Sequence, residues 1–402
     1  MSEWVEYSLE DVAEITSSKR IFYADYVDYG IPFYRSKEII ELYNRSEISN
    51  SLYISEQKYL EIKEKYGVPV IGDILLTSVG TLGIPYLVNN SNEFYFKDGN
   101  LTWIRKINKN IVLPDFIYCL LNSPLGKNKL DEITIGSTQA ALTIAGLKKI
   151  KISVPNLSKQ LEIVHVIQSI SKKIELLHRQ NKTLESMAET LFRQWFADDS
   201  NGSGKEVELH EIIEFNPKRV LPKGSKAMYL EMAGLNTNTF AASGYYERDF
   251  TSGQKFIKQD TLLARITPCL ENGKAGYVHF LSPEQVGWGS TEFIVLRPKP
   301  KFHPLFSYIL CRNNEFKEYA ESCMEGSSGR QRVNVSHLSM YTLTLPHDDV
   351  ITQFNEILAS IEPKLISNAL QIQTLENLRD TLLPKLMSGE VRVNYTPEEI
   401  KQ

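Results

Sequence analysis

The chain has 402 residues, of which 42% are hydrophobic and 23% charged, with a formal net charge of −4. That length supports roughly two or three cores, and the charge excludes a strongly basic nucleic-acid binder, so any DNA contact has to be local or shared with partner subunits. No run approaches about twenty apolar residues, and Met-Ser-Glu-Trp at the start lacks a signal pattern, so a cytoplasmic protein without a membrane span is expected.

Taken in order, the first half reads as mixed α and β. Phe94-Tyr95-Phe96 and Leu101-Thr102-Trp103-Ile104 are short aromatic and β-branched runs expected as strands. Phe116 to Asn122 follows a proline and is expected as a helix. Ile150 to Val154 alternates as a last strand, closed by Pro155. From Leu157 to Phe196 the apolar residues Ile163, Ile167, Ile170, Ile174, Leu177, Leu184, Ala188, Leu191 and Trp195 fall on steps of four and three, interrupted only by Asn181. This is a heptad seam, which marks a coiled coil. Residues 198–204 form a polar, glycine-rich linker.

The second half repeats the first. Leu9-Glu10-Asp11-Val12 returns as Leu209-His210-Glu211-Ile212, Gly72-Asp73-Ile74-Leu75-Leu76 as Gln259-Asp260-Thr261-Leu262-Leu263, and Pro114, Phe116, Tyr118 and Leu120 as Pro304, Phe306, Tyr308 and Leu310. Glu292 to Leu296 is expected as a strand and Leu305 to Cys311 as a helix. The seam returns from Asp348 to Met387 as Phe354, Leu358, Ile361, Leu365, Asn368, Leu375, Arg379, Leu382 and Leu386. Antiparallel pairing is expected, because it sets Asn181 against Asn368, where two amides satisfy each other and fix register. Pro363 should bend the second helix or cost it a hydrogen bond near Ala359.

The expected fold class is therefore α+β, with two similar mixed α/β domains joined by two long helices in an antiparallel coiled coil with a pseudo-twofold repeat. The domains are placed at 1–155 and 205–346, the helices at 156–197 and 347–388, and the tail at 389–402 packs towards the first domain.

No catalytic constellation emerges. Asn216-Pro217 continues to Lys218-Arg219 and not to the Pro-aromatic pair with which amino-methyltransferases grip a flipped base. Asn272-Gly273-Lys274 lacks the rest of a phosphate loop. Cys119, Cys269, Cys311 and Cys323 are far apart, which suggests neither a disulfide framework nor a zinc site. What remains is recurrent polar loops. Ser17, Ser18, Lys19 and Arg20 stand where Lys218 and Arg219 stand in the other half. Gly136, Ser137, Thr138 and Gln139 stand where Gly326 to Ser328, Arg330, Gln331 and Arg332 stand. Arg and Gln suit base edges; Ser, Thr and Lys suit phosphates. With Arg35, Lys37, Ser78, Thr81, Arg265, Asn272 and Lys274, these are the candidate DNA-binding residues.

The segments "GSTQAALTIAGLKKIKISVPNLSKQLEIV", "LENLRDTLLPKLMSGEVRV" and, more weakly, "GDILLTSVGTLG" closely resemble the specificity subunits of type I restriction–modification enzymes, and the resemblance runs nearly the whole length. It implies two target-recognition domains, each reading half of a split double-stranded site. It also implies antiparallel helices that act as a ruler and dock two methyltransferase subunits, with restriction subunits joining them. By the same resemblance the chain is not itself an enzyme, and S-adenosylmethionine and ATP belong to its partners. Pro363 departs from the family's idealised rod. A coiled-coil scaffold without sequence readout, and a fused nuclease–methyltransferase, remain open on the residues alone.

Overall fold

The computed structural model describes residues 4–44, 48–136, 140–197, 204–237, 239–327 and 329–393. They form two units, one made of the described residues up to Lys172 together with those from Glu376 onward, the other of Lys173–Leu375. Each unit combines a globular part with a share of both long helices, so the division crosses the helices; residues 198–203 of the expected linker lie outside the described residues.

In the first unit a four-stranded antiparallel sheet runs in the order Glu14–Thr16, Leu101–Arg105, Ile74–Thr77, Pro85–Leu87. Ile74–Thr77 is buried throughout, which is why it reads as an unbroken apolar run. A second sheet orders Tyr26–Val27, Leu52–Ile54, Ile31–Tyr34 and Tyr95–Phe96, the last two parallel. The outer strand Val5–Ser8 pairs with Lys151–Val154.

The second unit repeats the central sheet as Ile213–Phe215, Phe293–Pro298, Thr261–Ala264, Ala275–Tyr277, and the outer pair as Lys205–Glu208 with Thr342–Leu345. Its other sheet keeps a parallel pair, Lys226–Leu230 with Val286–Gly289, but adds its further strands differently. The frame is duplicated while the peripheral sheet diverges.

The first long helix spans Leu157–Phe192, continued by a π turn at Arg193–Ala197, and the second spans Asp348–Ser388. Asn156 starts the first by accepting the Lys159 amide hydrogen at 2.9 Å. Gly389, at φ 77°, ends the second, and the Val391 amide returns to the Lys385 carbonyl at 3.2 Å. Within the first unit Ile163, Val164 and Ile167 share a core with Leu383, Leu386 and Met387, against which Val391 and Val393 also pack. Within the second unit Phe192 and Phe196 lie 6.4 and 5.1 Å from Phe354, while Asn181 meets Asn368, so residue numbers run oppositely and the helices are antiparallel.

The amide pair is less reciprocal than the sequence suggests. Asn368 Nδ2 donates to Asn181 Oδ1 at 2.8 Å, but Asn181 Nδ2 turns to the Leu365 carbonyl at 3.4 Å, and Asn368 Oδ1 is left buried without a partner among the described residues. Arg379, a seam position, directs its guanidinium to Asp380 at 2.9 Å. The second helix also runs unbroken through Pro363. The proline lies on the exposed face while Ile361 and Leu365 hold the buried one, so it leaves the packed seam intact.

Each unit clasps its long helix by a side-chain amide that the sequence reading passed over. Gln160 is fully buried; it accepts the Leu113 amide hydrogen at 2.8 Å and donates to the Ile111 carbonyl at 2.9 Å. Asn355 treats His303 and Lys301, the repeat positions, in the same way at 2.9 Å each. The second unit adds a buried charge relay. Glu185 accepts from the Tyr308 hydroxyl at 2.6 Å and from the Phe240 amide at 3.2 Å, and Arg312 Nε donates to that same Tyr308 oxygen at 3.0 Å. Burial pushes the Glu185 carboxyl up to about 7, against the opposing pull of Tyr308 and Arg312.

Two outcomes follow from these contacts. Asn368→Leu leaves the Asn181 side-chain oxygen buried without its donor and costs about 1–3 kcal/mol, read as a lower urea midpoint, whereas the double variant Asn181→Leu/Asn368→Leu recovers most of it. A single variant as stable as wild type would contradict this. Glu185 titrates near 7 in the folded chain and near 4.5 when unfolded. Its contribution to stability is therefore present below about pH 4.5 and is lost as pH rises through about 7, by at most about 3 kcal/mol. Melting curves of wild type and Glu185→Gln at pH 5 and 8 should show the wild type losing more stability than the variant; parallel losses would refute the shift.

Candidate nucleic-acid interface

The sheet ends carry the candidate loops. In the first unit the strand Ile74–Thr77 ends at Ser78, whose amide donates to the Asn100 carbonyl and whose carbonyl accepts from the Leu142 amide, at 2.8 and 3.0 Å. Val79 bridges Ala141. In the second unit the Arg265 amide donates to the Glu292 carbonyl and its carbonyl accepts from the Val333 amide, both at 2.9 Å, and Ile266 bridges Arg332. The hydrogen-bond frame is the same. The side chains it displays differ: Ser78, Asn100 and Ala141 in one copy, Arg265, Glu292 and Arg332 in the other.

In the second unit Arg332 and Glu292 form an ion pair. Arg332 grips Glu292 with Nε at 2.9 and 3.0 Å and a terminal nitrogen at 2.7 Å, and Arg265 Nε donates to the Val333 carbonyl at 3.0 Å. Glu292 thus offers Arg332 the planar two-oxygen contact that a base edge or a phosphate also offers. Arg330 is exposed, and the Gln331 carbonyl accepts from the Thr267 amide at 3.1 Å. Asn272 is exposed, whereas the ammonium of Lys274 is drawn to the Met232 carbonyl at 3.3 Å. Thr138, Gln139 and Ser328 lie outside the described residues.

Ser78 does not belong among contact residues. It is buried, and its hydroxyl lies 2.7 Å from Thr102 Oγ1 and 3.1 Å from the Leu76 carbonyl. Ser78 follows the last residue of the strand, and its backbone bonds to Asn100 and Leu142 hold it against the neighbouring segments. Thr81 is exposed in the turn beyond, between Gly80 and Gly83, both at positive φ (81° and 73°).

The second pair of loops follows the strands Glu14–Thr16 and Ile213–Phe215, each at the edge of its sheet. In the first unit Ser17 Oγ accepts the Gly99 amide hydrogen at 3.4 Å, and the Ser18 hydroxyl is buried without a partner among the described residues. The Lys19 amide donates to the Tyr95 hydroxyl at 2.7 Å, while the side chains of Lys19 and Arg20 stand exposed. In the second unit Asn216, at φ 48°, exchanges two hydrogen bonds with the Val295 backbone, at 2.7 and 2.9 Å. Lys218 is exposed, but Arg219 folds inward to 3.8 Å from the buried carboxylate of Asp260, which Arg297 also holds.

The repeat explains why the two arginines differ. Asp73 stands where Asp260 stands, yet the Trp103 indole donates to it at 2.8 Å. In the strand register Trp103 faces Leu75 as Val295 faces Leu262, so the second unit has a valine where the first has the indole. Burial raises the pKa of both aspartates above the ordinary range. Arg35 is similarly engaged: its amide and Nε both reach the buried Glu38, at 2.7 and 3.1 Å, starting a helix at Ser36. Lys37 is exposed, with Glu41 at 3.7 Å.

Among the described residues no group of three or more His, Cys, Asp or Glu is placed to hold a metal ion, and no helix is long and apolar enough to cross a membrane.

Comparison with known proteins agrees with this duplicated frame. The family model described as the type I restriction modification DNA specificity domain matches residues 1–186 and again 203–377. The HindI type I specificity subunit of Haemophilus influenzae is 23% identical in an alignment covering 97% of this chain and 100% of that one. The MjaIX specificity subunit of Methanocaldococcus jannaschii is 23% identical over 80% of this chain and 78% of its own. In fold, the type I S subunit of M. genitalium matches with a TM-score of 0.57 at 16% identity, covering 98% of this chain and 97% of that one. Two matched copies of the domain, spanning most of the sequence, place the chain in the family of type I restriction–modification specificity subunits.

Proposed function

We propose that this chain is the non-catalytic DNA-recognition subunit of a type I restriction–modification complex. Residues 1–155 and 205–346 each read one half of a bipartite duplex site. The long helices set the spacing and dock two methyltransferase subunits, to which restriction subunits join; S-adenosylmethionine and ATP are bound by those partners. The observation that carries the reading is the matched backbone frame with unlike side chains. Ser78, Asn100 and Ala141 occupy the places of Arg265, Glu292 and Arg332 within the same hydrogen bonds. A fold that needed two copies only for stability would have no reason to vary the side chains at the end of one frame, whereas two readers of different sequences must.

On this reading Arg332 and Arg330 contact bases or phosphates in the second half-site, and Lys19 and Arg20 do so in the first. Arg265 supports the frame. Arg332→Ala should cost about 1–3 kcal/mol of specific binding and relax one base position, while Lys218→Ala should weaken all sequences alike and flatten the salt dependence. Titration of the methyltransferase complex on singly substituted duplexes separates the two. Domain exchange tests the whole scheme. Replacing residues 1–155 by those of a relative with another target should change one half of the methylated site only; a change in both halves or in neither would refute it.

A further inference from the structure

The surface beside Lys19 and Arg20 has a feature for which charge alone does not account. Phe22 is 63% exposed and Tyr23 91% exposed, and Tyr29 and Tyr66 of the same unit are exposed as well, whereas Phe33, Tyr59 and Tyr95 are buried. Exposed rings of this size on a soluble chain mark a contact surface. Cations interleave them: Lys19 Nζ lies 5.1 Å from the Tyr66 ring centroid, and the Arg20 guanidinium 5.7 Å from that of Phe22.

The segment is held in place and not merely left outside. The Lys19 amide is bound to the buried Tyr95 hydroxyl at 2.7 Å, and Ile21, between the two exposed neighbours, is buried in the core with Phe33 and Tyr95. Asp25 accepts the Phe22 amide hydrogen at 3.0 Å and pairs with Lys58 at 3.4 Å. Three anchors thus fix a short turn whose two rings project outward, and the folded chain bears the cost of their exposure before any ligand arrives. Asp25 is neutralised by Lys58. The exposed Asp28 lies further along, next to Tyr29, and its charge repels phosphate, which confines the DNA-facing end to residues 19–23. The corresponding loop of the second unit carries Lys218, Val220 and Lys223 and has no exposed ring between residues 216 and 226.

We propose that the first unit reads its half-site with an aromatic wedge. Phe22 and Tyr23 make apolar or stacking contact with the bases while Lys19 and Arg20 hold the flanking phosphates, and the second unit lacks this device. Duplex DNA is the occupant because a pair of exposed rings beside two exposed cations matches a base step beside its phosphates. The proposal rests on the recognition role proposed above and adds residues and a chemistry to it.

The test uses the assembled methyltransferase complex and a duplex carrying its own methylated site. Phe22→Ala/Tyr23→Ala should lower specific affinity by about ten- to a hundredfold. It should leave the slope of log affinity against log salt unchanged, and discrimination against base changes should be lost in the first half-site only. Lys19→Ala/Arg20→Ala should instead flatten that slope by about 2. Phe22→Leu should retain part of the affinity and Tyr29→Ala all of it, which guards against a folding defect. Wild-type affinity and discrimination in the Phe22/Tyr23 variant would overturn the proposal, as would an equal loss on unrelated duplexes. A wild-type complex that distinguishes no duplex sequence would overturn the recognition role itself, and that result would appear before any variant is compared.

Discussion

The structure depends on each globular part finding a fixed place along a long helix. A leucine seam alone does not supply that, because seam residues of similar size tolerate slippage by a heptad. Polar groups inside the seam remove the freedom. In the second unit Asn368 donates to Asn181 at 2.8 Å, and any shift of register would strand both amides among Leu177, Ile361, Leu365 and Ile372. Gln160 and Asn355 do the same for the globular parts, each gripping one peptide amide and one carbonyl of the loop before a packed helix. Buried polar groups with few available partners make position discrete.

With position fixed, the sheet ends are free to vary. Strands 74–77 and 261–264 share their pairing, their buried aspartate at the start and their backbone bonds at the end. Beyond that point the two copies share no chemistry. A buried serine and a half-buried alanine stand there in one, and an exposed arginine paired with a glutamate stands there in the other. The valine at 295 leaves Asp260 open to Arg219, whereas the indole at 103 occupies Asp73 and Arg20 stays outside.

Much of this was legible in the sequence because it rests on period and repetition. The heptads gave the helices and their direction, and the offset of 191 residues between them, with offsets of 187 to 200 elsewhere, gave the duplicated frame. What escaped is what depends on a side chain's partner. Ser78 looked available because the partners of its hydroxyl, Thr102 and the Leu76 carbonyl, meet it only in the fold. Arg35 and Arg219 looked like free cations because Glu38 and Asp260 meet them only in the fold. Phe22 and Tyr23 carry no pattern that marks them as exposed; only the fold reveals it, with Ile21 buried beside them. Pro363 was expected to disturb the helix, and its exposed position keeps it away from the seam.

The central claim is that one backbone frame, used twice with different side chains, reads two different DNA sequences. Mapping methylated bases across the genome of a host that carries this chain with its methyltransferase partner tests it most directly. The account predicts modification at a single kind of site made of two short defined halves, unlike each other, separated by a spacer of fixed length and free sequence. A continuous site, or one whose halves are the same sequence read on opposite strands, would contradict it.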